Sequence, residues 1–202
     1  MKRFIFYCLM ALSLLMFACS NKTTTPVLAP HEGFVQVKGG KIWYRVWGTG
    51  EGVPIVMIHG GPGFTSYYLT PLADSLSKQR TVIVFDQLGC GRSDQLTDTS
   101  LMNMQAHVDQ VSALLKALKI ETFDLYGHSF GTMLATDFYL QHPENIRSIV
   151  LASPCLRVAN WISDADTLMM QLPANVATVL QNFRKGDKQD SLELANALTL
   201  YY

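Results

Sequence analysis

A serine set between two glycines is the feature that most constrains how this chain can fold. The segment YGHSFGT at residues 126–132 contains Gly-x-Ser-x-Gly, with Ser129 at its centre. It follows an apolar run and leads into a stretch with helical character. Glycine permits a cramped backbone that pushes a neighbouring side chain out of a tight turn. The pattern therefore predicts a strand-to-helix turn that presents the Ser129 hydroxyl as a nucleophile.

Two more glycine-rich turns follow predicted buried strands. The β-branched run 54–58 ends in HGGPG at residues 59–63, and the run 81–85 leads into DQLGCGRS at residues 86–93. The HGGPG turn leaves backbone N–H groups unpaired near Ser129, where an oxyanion can accept from them. In parallel sheets, ligands bind beyond the carboxyl ends of the strands, so the three turns predict one site at that edge.

The whole pattern predicts an α/β fold, with a mostly parallel twisted sheet and helices on both faces. A hairpin around residues 39–40 comes first, and strand–helix units follow it. The predicted strands cover residues 33–38, 41–47, 54–58, 81–85, 123–126 and 146–152. The predicted helices cover residues 66–78, 104–118, 130–141, 161–172, 174–183 and 192–202. No strand is predicted after Cys155.

Composition excludes several classes of protein. Sixteen basic and sixteen acidic residues balance, so the sequence indicates no nucleic-acid surface. Apolar residues make up 49% of the chain and charged residues 16%, which is typical of a chain that builds a core. The sequence has no Cys-x-x-Cys or His-Glu-x-x-His motif, and it implies neither a metal nor an organic cofactor.

The N-terminus is predicted to be an export signal outside the fold. Lys2 and Arg3 precede an uncharged run that ends at Cys19, and a polar stretch follows. Residues 15–19, LMFAC, resemble a bacterial lipoprotein signal, in which Cys19 would be acylated and anchor the exported protein to a membrane. An ordinary signal cut near Ala18 or Ser20 and a single-pass anchor are the alternatives. The predicted division is a signal at 1–19, a tether at 20–32, a core at 33–155 and a helical segment at 156–202.

HGGPG, DQLGCGRS and GHSFG together resemble the α/β-hydrolase fold and, within it, proline iminopeptidases and tricorn-interacting aminopeptidases. The resemblance runs from about Gly33 to about Cys155, and the later helices resemble the start of that family's helical cap. It implies a serine exopeptidase that acts through an acyl-enzyme on peptides with a free N-terminus and prefers proline. An amidase, esterase or lactonase on the same scaffold is one alternative, and a non-catalytic surface lipoprotein is another.

The resemblance also implies roles for individual residues. Ser129 would be the nucleophile, and the backbone N–H groups of Gly61 and Phe130 would form the oxyanion hole. Supporting roles around the nucleophile would fall to His59, Gly60, Pro62, Gly63, Asp86, Gln87 and His128.

The triad acid and histidine of this fold follow the nucleophile in sequence, after the cap. Asp164 and Asp166 come too early for the acid, so both partners are predicted to be absent from these 202 residues. We therefore expect the sequence to be the N-terminal part of a longer enzyme, inactive and poorly soluble by itself.

Overall fold

The structure is a computed structural model that describes residues 28–50, 52–188 and 190–201. The predicted export signal and Cys19 lie outside these residues, and both stay predictions. Within the described ranges, no helix is long and apolar enough to cross a membrane.

Among the described residues, six strands form one mixed sheet in the order β1-β2-β4-β3-β5-β6. The strands are β1 His31–Val37, β2 Gly40–Trp47, β3 Ile55–Ile58, β4 Val82–Phe85, β5 Phe123–His128 and β6 Ile146–Ala152. β1 and β2 form the predicted antiparallel hairpin, and β2 pairs antiparallel with β4. β4, β3, β5 and β6 run parallel. The predicted strands and the fold class are confirmed.

The helices also follow the predicted order. They are α1 Thr70–Leu76, α2 Met104–Leu118, α3 Phe130–Gln141, α4 Val158–Met169, α5 Ala174–Arg184 and α6 Ser191–Tyr201. The single helix predicted at 66–78 is wrong in its first turn, which is a separate 3-10 helix, Ser66–Leu69. Pro71, the second residue of α1, has no N–H with which to continue an α-helix from that turn. α4 starts at Val158, three residues earlier than predicted. The sequence pattern missed this first turn because its residues are exposed and show no apolar periodicity.

Side chains of the central strands alternate between two cores, one on each face of the sheet. Val56 and Ile58 of β3 pack with the apolar faces of α2 and α3, whereas Ile55 and Met57 pack with Ala73 of α1. α4, α5 and α6 pack in a separate apolar cluster. That these three helices form a cap over the site stays a prediction. β6 occupies one edge of the sheet and leaves Val150 46% exposed.

A cluster of charged side chains lies at the end of the sheet where β5 begins. The buried carboxylate of Asp124 accepts hydrogen bonds from Arg147 Nε at 2.9 Å and Ser148 Oγ at 2.7 Å, and it also pairs with Arg80. Burial alone would raise the pKa of Asp124, but the hydrogen bonds from these three residues hold it well below its usual range. The ionised carboxylate therefore joins β5, β6 and the segment before β4.

Candidate active site

Ser129 lies in the turn between β5 and α3 with a strained backbone. Its φ of 53° and ψ of −121° are unusual for a residue with a side chain. The turn is held because Ser129 N donates to Ala152 O at 3.0 Å, while Thr132 N and Oγ1 donate to Ser129 O at 2.8 and 2.6 Å. The Ser129 side chain is partly exposed and lines an open cavity of about 550 Å³. The geometry is that of a nucleophile elbow.

Two glycines allow α3 to begin directly against the sheet. A Cβ atom on Gly131 would lie 2.5 Å from Ile58 O and 2.7 Å from His59 O. A Cβ atom on Gly127 would lie 2.4 Å from Gly131 O. All of these neighbours are backbone oxygens, which cannot move without displacing β3 or α3. The elbow therefore requires glycine at both positions.

Gly131→Ala is expected to destabilise the protein by about 3 kcal/mol, the upper end of the range for over-packed sites, because the new methyl group meets fixed backbone oxygens. Urea unfolding followed by circular dichroism measures this change. Gln141→Ala is the matched control, since it places alanine at an exposed position at the end of the same helix. Equal unfolding midpoints for the two variants would contradict the close approach of α3 to β3.

The HGGPG turn lies directly beside the elbow. A Cβ atom on Gly60 would be 3.0 Å from Ser129 Cβ, and Gly60 and Gly61 line the same cavity as Ser129. Gly61 N–H and Phe130 N–H have no acceptor among the described residues. Phe130 is the first residue of α3, where N–H groups have no partner within the helix and the helix dipole favours negative charge. The two amides predicted for an oxyanion hole are therefore free and adjoin the serine.

Pro62 and Gly63, the last residues of the same turn, do not line the cavity of Ser129. They line a second cavity of about 590 Å³ together with Phe130, Cys90 and His107. Burial raises the pKa of the Cys90 thiol, which favours its neutral form. The described cysteines are free, so no disulfide joins Cys90 to Cys155.

His59 is fully buried and uses both ring nitrogens inside the turn. Its Nε2 accepts from Gln87 N at 3.0 Å, so its Nδ1 carries the proton and donates to Gly60 O at 2.7 Å. The Gln87 side chain in turn donates to His59 O at 3.0 Å. Burial lowers the pKa of His59, which keeps the ring neutral. His59 is thus bonded as a support for the turn rather than as a base for Ser129.

Asp86 ties the DQLGCGRS loop to the segment that follows HGGPG. Its buried carboxylate accepts from Ser66 N at 2.7 Å and from Arg92 N at 2.9 Å. The hydroxyl of Ser93 donates to Asp86 O at 2.5 Å. These bonds join the two ends of the loop to residue 66, and the supporting role of Asp86 around the nucleophile stays a prediction. Only the backbone of Arg92 bonds to Asp86, because its guanidinium lies over the Trp43 ring at 4.5 Å from the ring centroid.

His128 contacts Tyr68, a residue that no sequence motif indicates. Its Nδ1 lies 2.8 Å from Tyr68 Oη, which also accepts from Gly60 N at 2.7 Å. Tyr68 belongs to the 3-10 turn Ser66–Leu69, outside all three motifs. No spacing rule connects it to either turn, so only the three-dimensional structure reveals the contact.

The described residues supply Ser129 with no base. No hydrogen bond joins the Ser129 hydroxyl to a histidine or a carboxylate among them, and Asp166 pairs instead with Arg184. They also contain no group of three or more His, Cys, Asp or Glu residues that could hold a metal ion.

Comparison with known proteins agrees with this geometry. The family pattern for the α/β hydrolase fold matches residues 53–202. The chain is 35% identical to a proline iminopeptidase of Heyndrickxia coagulans over 84% of this chain and 59% of that protein. It is 29% identical to a proline iminopeptidase of Saccharolobus solfataricus over 85% of this chain and 56% of that protein.

A solved structure shows the same likeness. The proline iminopeptidase of Mycobacterium smegmatis superposes with a TM-score of 0.77 at 26% identity, over 85% of this chain and 60% of that one. The chain thus spans less than two thirds of the length of these relatives. The resemblance inferred from HGGPG, DQLGCGRS and GHSFG is confirmed, and the chain belongs to the α/β-hydrolase fold family.

Proposed function

We propose that the protein is a serine hydrolase that releases N-terminal residues from peptides, with proline preferred. The observation that carries the proposal is the placement of Ser129, whose backbone is held at positive φ beside Gly60 and Gly61. Similarity to proline iminopeptidases supports the peptide substrate, since the fold alone does not determine it.

In this proposal Ser129 Oγ attacks the carbonyl carbon of the scissile amide. The oxyanion that forms accepts hydrogen bonds from Gly61 N–H and Phe130 N–H. The C–N bond then breaks, the amine leaves with a proton, and the acyl group stays on Ser129 until water hydrolyses the ester. A base must take the serine proton, because a neutral hydroxyl is a weak nucleophile near pH 7. The relatives extend beyond the region that matches this chain, and we assign the base to that further region.

Hydrolysis of proline β-naphthylamide and of p-nitrophenyl butyrate tests the substrate class. In a protein that also contains the base, we expect release of naphthylamine from the proline amide, because amide cleavage requires the activated serine and the oxyanion hole together. Cleavage of the ester alone would replace the peptidase assignment with an esterase or lactonase. A protein that cleaves neither substrate and does not react with a fluorophosphonate probe would be a non-catalytic member of the family.

A further inference from the structure

We propose that Tyr68 is a positioning residue that holds the HGGPG turn in register with the elbow, so that Gly61 N–H faces the reacting oxygen. This inference rests on the proposed function, because it concerns how the oxyanion hole is assembled. It adds to the site a residue that lies outside the three motifs.

The hydroxyl of Tyr68 is bonded to both turns at once. On one side it accepts from Gly60 N at 2.7 Å, and on the other it lies 2.8 Å from His128 Nδ1. The Tyr68 and His128 rings meet edge to face, with their centroids 5.2 Å apart. Since His128 precedes Ser129 directly, a single oxygen atom joins the turn of the oxyanion donor to the turn of the nucleophile.

The hydrogen bonds around Gly60 fix the direction of the next amide. Tyr68 holds the N–H of Gly60, and the buried ring of His59 holds its carbonyl oxygen at 2.7 Å. In a trans peptide the C=O and the following N–H point in opposite directions. A Gly60 carbonyl that points inward to His59 therefore directs Gly61 N–H outward, to the side where Gly61 lines the cavity of Ser129.

The turn has few other restraints of its own. Gly60 and Gly61 have no side chains that packing could hold, and glycine backbones have wide conformational freedom. Tyr68 itself is 39% exposed and lines the cavity, so core packing does not explain its placement. The tyrosine hydroxyl also lies close to the Gly60 backbone, since a Cβ atom on Gly60 would be 3.2 Å from Tyr68 Oη. The tyrosine hydroxyl is thus the restraint on the cavity side of Gly60.

Tyr68→Phe tests the proposal because it removes only the hydroxyl and keeps the ring. We expect kcat to fall about 10- to 100-fold with KM changed by less than about threefold, since a misplaced donor weakens transition-state binding more than substrate binding. Tyr139→Phe is the matched control, as Tyr139 is 41% exposed on α3 and lines neither cavity of the site. It should keep the wild-type kcat, and both variants should share one thermal midpoint.

The contact can also be measured without turnover. Amide hydrogen exchange at Gly60 should become about five- to tenfold faster in Tyr68→Phe, because its N–H loses the one hydrogen bond that it donates to the tyrosine hydroxyl. If a wild-type protein that also contains the base shows no turnover, the proposed function fails, whereas the exchange rates still decide the role of Tyr68. Unchanged exchange at Gly60 would overturn the positioning role. A lower kcat would also overturn it if the thermal midpoint of Tyr68→Phe fell well below that of Tyr139→Phe, because the lower rate would then reflect a general loss of stability.

A change on the elbow side supplies a second check. His128→Leu removes the other partner of the Tyr68 hydroxyl, so it should reproduce part of the fall in kcat. His128→Asn keeps a hydrogen-bonding atom close to the position of Nδ1 and should recover most of the wild-type kcat. Equal rates for the leucine and asparagine variants would count against the three-residue connection.

Discussion

Replacing Ser129 with alanine, in a protein that also contains the base, is expected to abolish fluorophosphonate labelling and to lower hydrolysis by about 10⁴-fold or more, because the proposed acyl-enzyme can no longer form. Ser129 is the side chain that the elbow presents to the cavity beside Gly60 and Gly61. Alanine meets the same positive φ as serine, so the turn itself should persist. Mass spectrometry of the labelled protein and initial rates on proline β-naphthylamide measure the two effects.

Ser75→Ala is the matched control for this experiment. Ser75 lies exposed near the end of α1, and its hydroxyl makes no hydrogen bond among the described residues. This variant should retain both labelling and turnover. Labelling that persists in Ser129→Ala would show that a different residue is the nucleophile, and the proposed mechanism would then be wrong.

Replacing Asp124 with asparagine is expected to lower the free energy of unfolding by about 3 kcal/mol at pH 7, because removing one partner of a buried ion pair leaves the other charges uncompensated. Asp124 is almost fully buried, whereas Arg147 is half exposed and Arg80 is partly exposed. Water therefore screens the two arginines in part, which places the expected loss at the lower end of the usual range. Urea unfolding at pH 7 measures it.

The pH dependence of this loss follows from the depressed pKa of Asp124 in the folded protein. A carboxyl with a lowered folded pKa stabilises the fold fully above its unfolded pKa of about 4, and the contribution disappears as pH falls through the folded value. The difference between wild type and Asp124→Asn should thus be constant near neutral pH and shrink below about pH 4. Asp74→Asn, an exposed change on α1, should show neither effect. A difference that persists unchanged in acid would contradict the ionised cluster.

Local patterns were sufficient to predict most of the fold and the centre of the site. Strands β3 and β4 are short runs rich in β-branched residues, and β5 is a short run with large apolar side chains. Each leads into a glycine-containing turn, and nearly all of its residues are buried. α2 shows its buried face at helical spacing. The elbow was predictable because it requires glycine at residues 127 and 131, and both lie in the five-residue motif centred on Ser129.

Contacts between distant segments were not predictable in this way. Tyr68 and His128 are 60 positions apart, and Asp124 is 44 positions from Arg80 and 23 from Arg147. Each of these pairs depends on the order of strands in the sheet and on the path of a loop, which no single segment encodes. The 3-10 turn that carries Tyr68 was also missed, because its sequence reads as one helix with the residues after it.

Strand β5 carries its two important groups at opposite ends. Asp124 lies at its beginning and Ser129 directly after its end, which separates them by about 17 Å at the usual rise of a strand. Sites this far apart, with no shared partner, contribute almost independently to the properties of a protein. The arginine end can therefore be varied for thermal tolerance while the serine end is varied to test the proposed activity, and a library that randomises one end need not compensate at the other.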